Sequence, residues 1–514
     1  MTLLFRVRQF FYGPLWHTRP RLGAGGGVLA IASFLIVLNV ACQVHEPRPF
    51  ADPPVAASNH WRNLKESGEG RLESWWKSFD DPTLHRLVKE AFRGNFELEQ
   101  AWARLDRAQA EWQRAGAPSL PSLDLQNSFS LSRFVDEDIG SSGGGFQIEP
   151  IDERSAGYSI GPRVNWEIDL WKRIENSQAA ANYRFDATVD DLQATALLLT
   201  AQIADSWFVF REQKALLSLL FEQLDSSRDL LELTELRFSL GQGTALDVLQ
   251  QRSQVASVEA QAPAVRRNRE IARNRLSVLL GRAPVDLNLG AVPDERIPFA
   301  GLPQFPNIGS PAELIRRRPD LRAARSRLRA ADREIAVAIA EKLPRLDFSI
   351  SYAFSAARGS GLFDQEVGSV LASILTPLFD GGRRDAVLRQ REAEVRESLA
   401  QYAQSYLLAL REIEDALVRE NEQKNRLKIL DRQLDLATKN LREARSRYQN
   451  GLVDFLSVLN AVGSLQTLQR TQISERRVLW GARSELYSAL GGLDLEGLEA
   501  RPLSPRLGAQ MEDE

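Results

Sequence analysis

Residues able to do chemistry are few in this 514-residue chain, and they are placed badly for it. Its four histidines, His17, His45, His60 and His85, all precede residue 86, and Cys42 is its only cysteine. No Gly-rich phosphate loop and no Ser-centred elbow lies in the body, so no catalytic, cofactor or metal site is expected. Glu412, Glu414 and Asp415 could suggest a metal site, but at this spacing on a solvated helix they read as surface charge. The run Arg316-Arg317-Arg318-Pro319-Asp320 could be a phosphate or nucleic-acid patch. A formal net charge of −3 gives nucleic acid no support. The run reads better as a helix boundary, with Asp320 near the positive end of a helix.

Cys42 has a more telling setting. Arg6, Arg8, Arg19 and Arg21 form a basic start and Val28 to Leu38 an apolar stretch of export-signal length, ending at Val40-Ala41-Cys42. A single cysteine excludes an intramolecular disulfide framework. Directly after such a signal, Cys42 resembles the lipidated cysteine of bacterial lipoproteins. Residues 1–41 are therefore expected to be a signal peptide, and residues 42–70, carrying Pro47, Pro49, Pro53 and Pro54, a lipidated extended tether.

What must position any functional residue is a pair of very long helices. Arg163 to Leu240 contains neither Gly nor Pro, and neither does Arg383 to Asn450. A helix from Ile174 to Leu240 would be ~100 Å long, several times the usual length. Both runs end at a Gly, Gly241 or Gly451, that opens a return helix; the first return is interrupted at Pro263. Each follows strand-like alternation. Leu123, Leu125, Phe129 and Leu131 alternate with Asp124, Gln126, Ser128, Ser130 and Ser132; only Asn127 breaks the pattern. A Gly-rich, acidic loop from Asp136 to Glu153 leads to a second strand, Tyr158 to Ile168. Ten-residue strands with one apolar face mark a transmembrane β-barrel, although a soluble sandwich alternates the same way. Pro162 suits an edge or bulge. Past residue 45 no apolar stretch is long enough for a membrane helix.

The pattern then starts over. Leu98, Ala101, Arg104, Leu105 and Ala108 match Leu321, Ala324, Arg327, Leu328 and Ala331, and Leu120 to Asp124 matches Leu343 to Asp347. Strand three alternates from Leu346 to Ser355; strand four, Val370 to Phe379, is apolar on both faces. Residues 71–282 form a first repeat, 283–311 a Pro-rich linker, 312–493 a second repeat and 494–514 a tail. The fold class is mostly α with a small transmembrane β part, in a duplicated helix-strand-strand-long helix-helix unit. Four membrane strands cannot close by themselves, because lipid tolerates no open sheet edge. Two, three or four chains would give eight, twelve or sixteen strands, and the residues alone do not choose.

Several features together resemble the TolC-like outer membrane efflux proteins: the duplication, the strand pairs, the paired long helices and the lone cysteine. Leu314 to Arg322 (LIRRRPDLR) is similar to a stretch of the lipoprotein branch serving resistance-nodulation-division pumps. Asn450 to Asn460 resembles that family's helix-tip turn, and Leu490-Gly491-Gly492-Leu493 its end motif. The similarity spans about residues 70 to 493. It implies a homotrimer with a twelve-stranded barrel in the outer membrane and a helical barrel across the periplasm. A periplasmic adaptor protein and an inner-membrane pump are its implied partners. Gly241, Gln242, Gly243, Asn450, Gly451 and Leu452 would then be adaptor-docking tips. Relatives carry Asp rings at a periplasmic gate; laid on this chain by Gly451 those positions read Ser457 and Asn460, with Asp454 and Asp247 nearby. Export of drug-like or other small molecules is the function implied. Type I protein secretion, metal-ion efflux and a structural coiled-coil stalk remain as alternatives.

Overall fold

The computed structural model describes residues 45, 48, 55, 60–64, 74–136, 151–289, 299, 301–356, 363 and 365–492. The signal peptide, Cys42 and the tail from residue 494 lie outside the described residues. The chain divides into two compact units, one holding the strands and one holding most of the helical residues.

In the first unit β1 (Ser122–Asp136), β2 (Ile151–Ile168), β3 (Arg345–Ala356) and β4 (Gln365–Leu375) form one antiparallel sheet in that order. The register sorts side chains by chemistry. Leu123 pairs with Val164, Val164 with Ile350 and Ile350 with Val370, all on one face. One residue along, Asp124, Arg163, Ser351 and Ser369 share the other face. There Ser128 and Ser159 bond through their hydroxyls at 2.8 Å, and Ser351 and Ser369 at 2.7 Å.

Three strand expectations are corrected. β2 begins inside the stretch read as loop, and β4 runs Gln365–Leu375 rather than Val370 to Phe379. Pro377 lies just beyond its end and has no N–H for a ladder. Pro162 sits in a central strand, not at an edge. It pairs with Leu125 of β1, while the β3 ladder skips from Ile160 to Arg163. The missing donor falls in that gap, and a Cβ on neighbouring Gly161 would run into the Tyr352 carbonyl oxygen.

In the second unit helical periodicity from Trp75-Trp76 to Ala115 predicts continuous helix, but the stretch is broken. A 3₁₀ turn, Trp75–Phe79, precedes α1 (Pro82–Gly94) and α2 (Phe96–Gly116). Asp81 caps α1 through the amides of Thr83 and Leu84, and Asn95 caps α2 through that of Leu98. Besides a single helical turn at Leu314–Arg317, the remaining α-helices are α3 (Arg173–Ser239), α4 (Ala245–Glu259), α5 (Ala262–Leu279), α6 (Pro319–Ala340), α7 (Arg383–Gln449) and α8 (Phe455–Leu490). α3 and α7 are each 67 residues long, ~100 Å of helix. Their starts, and those of their return helices α4 and α8, are separated by the same 210 residues. Trp75, Phe79, Phe208, Phe299, Trp480 and Tyr487 form an aromatic core, with Trp75 stacked on Tyr487 at 5.7 Å. Among the described residues no helix is long and apolar enough to cross a membrane.

Candidate functional site

The two hairpin turns are built alike. Gly241 has φ 72°, its N–H donates to Phe238 O at 3.0 Å, and that of Gln242 to Arg237 O at 2.8 Å. Gly451 also has φ 72°, with Gly451 N–H to Tyr448 O at 3.0 Å and Leu452 N–H to Arg447 O at 2.9 Å. This paired closure satisfies the last carbonyls of a helix and needs a left-handed residue, which glycine supplies without strain. The turns are neighbours: Arg237 lies over the Tyr448 ring at 4.6 Å, and Tyr448 meets buried Phe455 at 5.6 Å. Gly241, Gln242, Asn450, Gly451 and Leu452 are exposed, and Gly243 is half-buried.

The four residues that the resemblance would set at a gate fall at the starts of the return helices. Asp454 caps α8, accepting from the Ser457 amide at 3.1 Å and its hydroxyl at 2.7 Å. Those bonds hold its carboxyl below the usual range. Asp247 completes a reciprocal box with Thr244, its carboxylate taking the Thr244 N–H at 2.9 Å. Asn460 is exposed, one turn after Ser457 on the same side of α8. Val458, Ala461 and Val462 are the buried side.

Two motifs quoted from the sequence meet in space. Arg318 grips Asp320 with two bonds, at 3.0 and 2.8 Å, and reaches Glu412 at 2.8 Å and the Ala489 carbonyl at 2.9 Å. A cation on one of α8's last carbonyls complements the negative end of its dipole. Gly491 comes next at φ 78°, and a Cβ there would stand 2.9 Å from Arg318 Cα. Arg322 ties α6 to α3 through Asp190 at 2.8 Å. The basic run therefore organises helix ends, as its position near Asp320 suggested, chiefly by closing the end of α8.

The three carboxylates also have partners. Glu412 holds Arg318, while Asp415 lies 3.9 Å from both Arg411 and Arg419. Glu414 binds the segment read as a tether, taking the Arg62 N–H at 2.7 Å and the Asn63 amide side chain at 2.6 Å. Asn421 donates to the Asn63 carbonyl, buried Trp61 to the Gly309 carbonyl, and the Arg48 N–H to Asp332. Residues 48 and 61–63 are thus fastened to the helical unit. Among the described residues no group of His, Cys, Asp or Glu could hold a metal ion.

One structural pair went unread in the sequence. Arg483 and Glu420, each 2% exposed, bond twice at 2.7 and 2.5 Å, and Lys424 joins Glu420 at 3.1 Å. Arg483 also donates to the Pro303 carbonyl and lies over Phe305 at 5.1 Å, so it fixes the linker to α7 and α8. The only signal was positional: Arg483 falls between Trp480 and Tyr487 on an otherwise aromatic stripe.

Comparison with known proteins bears on these features directly. The family described as outer membrane efflux protein matches residues 87–282 and 311–492. The pyoverdine export outer membrane protein OpmQ of Pseudomonas aeruginosa is 32% identical over 462 residues, covering 87% of this chain and 93% of its own. Outer membrane protein OprJ of the same organism is 29% identical over 476 residues, covering 90% and 95%. The solved structure of the outer-membrane channel OprN aligns with a TM-score of 0.77 at 30% identity, covering 86% of this chain and 98% of that one. With its two helical hairpins, its sheet apolar on one face, and its interlocked Arg318 and Gly491 motifs, the chain belongs to the outer membrane efflux protein family and works as an efflux channel of the outer membrane.

Proposed function

We propose that three copies of this chain close a twelve-stranded barrel in the outer membrane and continue it as a helical tunnel. Through that tunnel drug-like or other small molecules leave the periplasm. One observation carries the reading: a four-stranded sheet, apolar on one face and polar on the other, that ends in two open edges, β1 and β4. Hydrocarbon leaves unpaired N–H and C=O groups at a cost of several kcal/mol each, so those edges need another copy's strands. The number three comes from the family. The turns at Gly241–Gly243 and Asn450–Leu452 receive a periplasmic adaptor, behind which stands an inner-membrane pump. Ser457 and Asn460, with Asp454 and Asp247 beside them, line the periplasmic gate. A relative named for pyoverdine export favours small-molecule cargo over secreted protein.

Native mass spectrometry in mild detergent tests the assembly: a trimer is expected, and a stable monomer rejects the barrel. Cys42 is acylated in this reading. Palmitate labels the wild type and not Cys42→Ser; an unlabelled wild type removes the anchor. The barrel keeps Cys42→Ser in the membrane, because its strands bury more apolar surface than acyl chains add.

A further inference from the structure

Helix α8 carries one neutral polar side. Ser457, Asn460, Ser464, Thr467, Thr471 and Ser474 follow one another at three- and four-residue steps, so they share a face ~26 Å long. Over the same stretch Phe455, Val458, Ala461, Val462, Gln466 and Ile473 are buried. One cation borders the polar side. Arg470, half-buried, donates from Nη1 to the Gln223 side-chain oxygen of α3 at 2.5 Å and from Nη2 to the Thr467 hydroxyl at 3.2 Å. Gln223 is buried and fixed in turn, its Nε2 donating to the Gln466 carbonyl at 3.2 Å and to the Gln469 side-chain oxygen at 2.9 Å.

Both partners of this guanidinium are neutral, and among the described residues no carboxylate pairs with it. Glu222 and Asp225, beside Gln223 on α3, are exposed and do not reach it. Glu475 of α8 is held by Arg426 at 2.7 Å, and Asp431 of α7 by Gln472 at 2.6 Å. On the same helix Arg477 lies 3.4 Å from Glu212, and Arg483 is held by Glu420. Lost water lowers the Arg470 pKa, with no acid to offset it. A cation drawn partly out of water among neutral groups lacks a counter-charge, and three of its five N–H groups are left to bind one. We propose that Arg470 is an anion site of the tunnel, taking the carboxylate or phosphate group of a solute that has passed the gate. The Thr467 hydroxyl accepts from Arg470 and keeps its own proton to donate to the same anion. This rests on the gate reading above, because it needs the Ser457 and Asn460 side of α8 to face the tunnel. Arg470 stands ~15 Å of helix beyond Asn460. In a trimer three such guanidiniums share one level, so a neutral gate leads to a cationic ring, and anionic small molecules are the cargo it favours.

Block of the current through the full-length channel in planar bilayers, by inorganic pyrophosphate added on the periplasmic side, tests it. The wild type should be blocked. Arg470→Gln should raise the half-blocking concentration about tenfold or more, the scale of one lost hydrogen-bonded charge pair. An unblocked wild type overturns the proposal, as does equal block of wild type and Arg470→Gln. Where Arg470→Gln does not assemble, Arg470→Lys replaces it: the charge stays but the planar fork is lost, and equal block of that variant and wild type overturns the proposal. Unchanged block together with a lower detergent melting temperature of Arg470→Gln assigns the guanidinium to a carboxylate of a second copy, which also overturns it. Asn460→Asp tells this failure from that of the gate. If Asn460→Asp raises block by trivalent cations while Arg470→Gln leaves pyrophosphate block unchanged, the gate stands and the anion site falls. If neither variant changes its block, this side of α8 does not face the tunnel and both fall.

Discussion

A carboxylate at a helix start can serve the helix or the space beyond it, and its hydrogen bonds decide which. Asp454 and Asp247 serve the helix, through Ser457 and Thr244. The gate should therefore behave as a neutral Ser457 and Asn460 constriction. In planar bilayers under a KCl gradient, weak cation selectivity and little block by trivalent cations are expected, and Asn460→Asp should raise both. Two carboxylates ~6 Å apart in water repel by ~0.7 kcal/mol, and more as the dielectric falls, which is what makes an Asp ring bind multivalent cations. Strong selectivity surviving Asp454→Asn with Asp247→Asn would place the gate elsewhere. The pH dependence has a definite sign. Because the Asp454 carboxyl is held low, its cap is intact above the ordinary carboxylate pKa and is lost as pH falls through the lowered folded value. Amide exchange at Ser457, corrected for intrinsic rate, should stay constant down to the ordinary carboxylate range and rise only below it.

The buried pair follows different arithmetic. Breaking Arg483–Glu420 from one side leaves an uncompensated charge in the interior, at ~3–5 kcal/mol. Glu420→Gln should lower the detergent melting temperature far more than Arg419→Gln, whose pair with Glu485 is exposed on both sides. Equal shifts would show that Glu420 stays solvated.

At the scale of elements, three glycines share one conformation in unlike surroundings. Gly241 and Gly451 have nothing within 4 Å of an added Cβ, whereas at Gly491 it would press on Arg318. Gly451→Ala should cost only the left-handed strain, ~1–2 kcal/mol. Gly491→Ala adds a clash with backbone and should lower the melting temperature further; similar values would mean that the end of α8 moves aside freely. These turns were legible because a Gly-free, Pro-free run ending in Gly names its own stop. The long helices were legible for the same reason, and the sheet faces from alternation in Leu123 to Ser132 and Leu346 to Ser355. β4 misled because both its faces are apolar, so only Pro377 could mark its end. Arg483–Glu420 was hidden because partners 63 residues apart leave no local spacing. The fastening of Asn63 to Glu414 was hidden because much of it runs through backbone N–H groups, which every residue but proline carries.

For the whole molecule, the sheet's two faces must meet two solvents if the chain forms a membrane pore, and adjacent residues of β4 can tell them apart. Val370 and Leu371 are 69% and 56% exposed in the single chain, so a soluble sheet would accept a charge at either. The register sets Val370 beside Ile350 on the apolar face and Leu371 beside Ser349 on the polar one. In a closed barrel the first faces lipid and the second faces water. An arginine on the lipid face costs up to ~2–4 kcal/mol near the bilayer midplane, and one in the lumen costs little. A trimer carries every substitution three times, so Val370→Arg should deplete the assembled form in the outer-membrane fraction while Leu371→Arg assembles normally. Semi-native gel mobility of the unheated protein reads the difference. Equal assembly of the two variants would mean that neither face meets lipid, and a helical stalk with a soluble sheet would then be the better account.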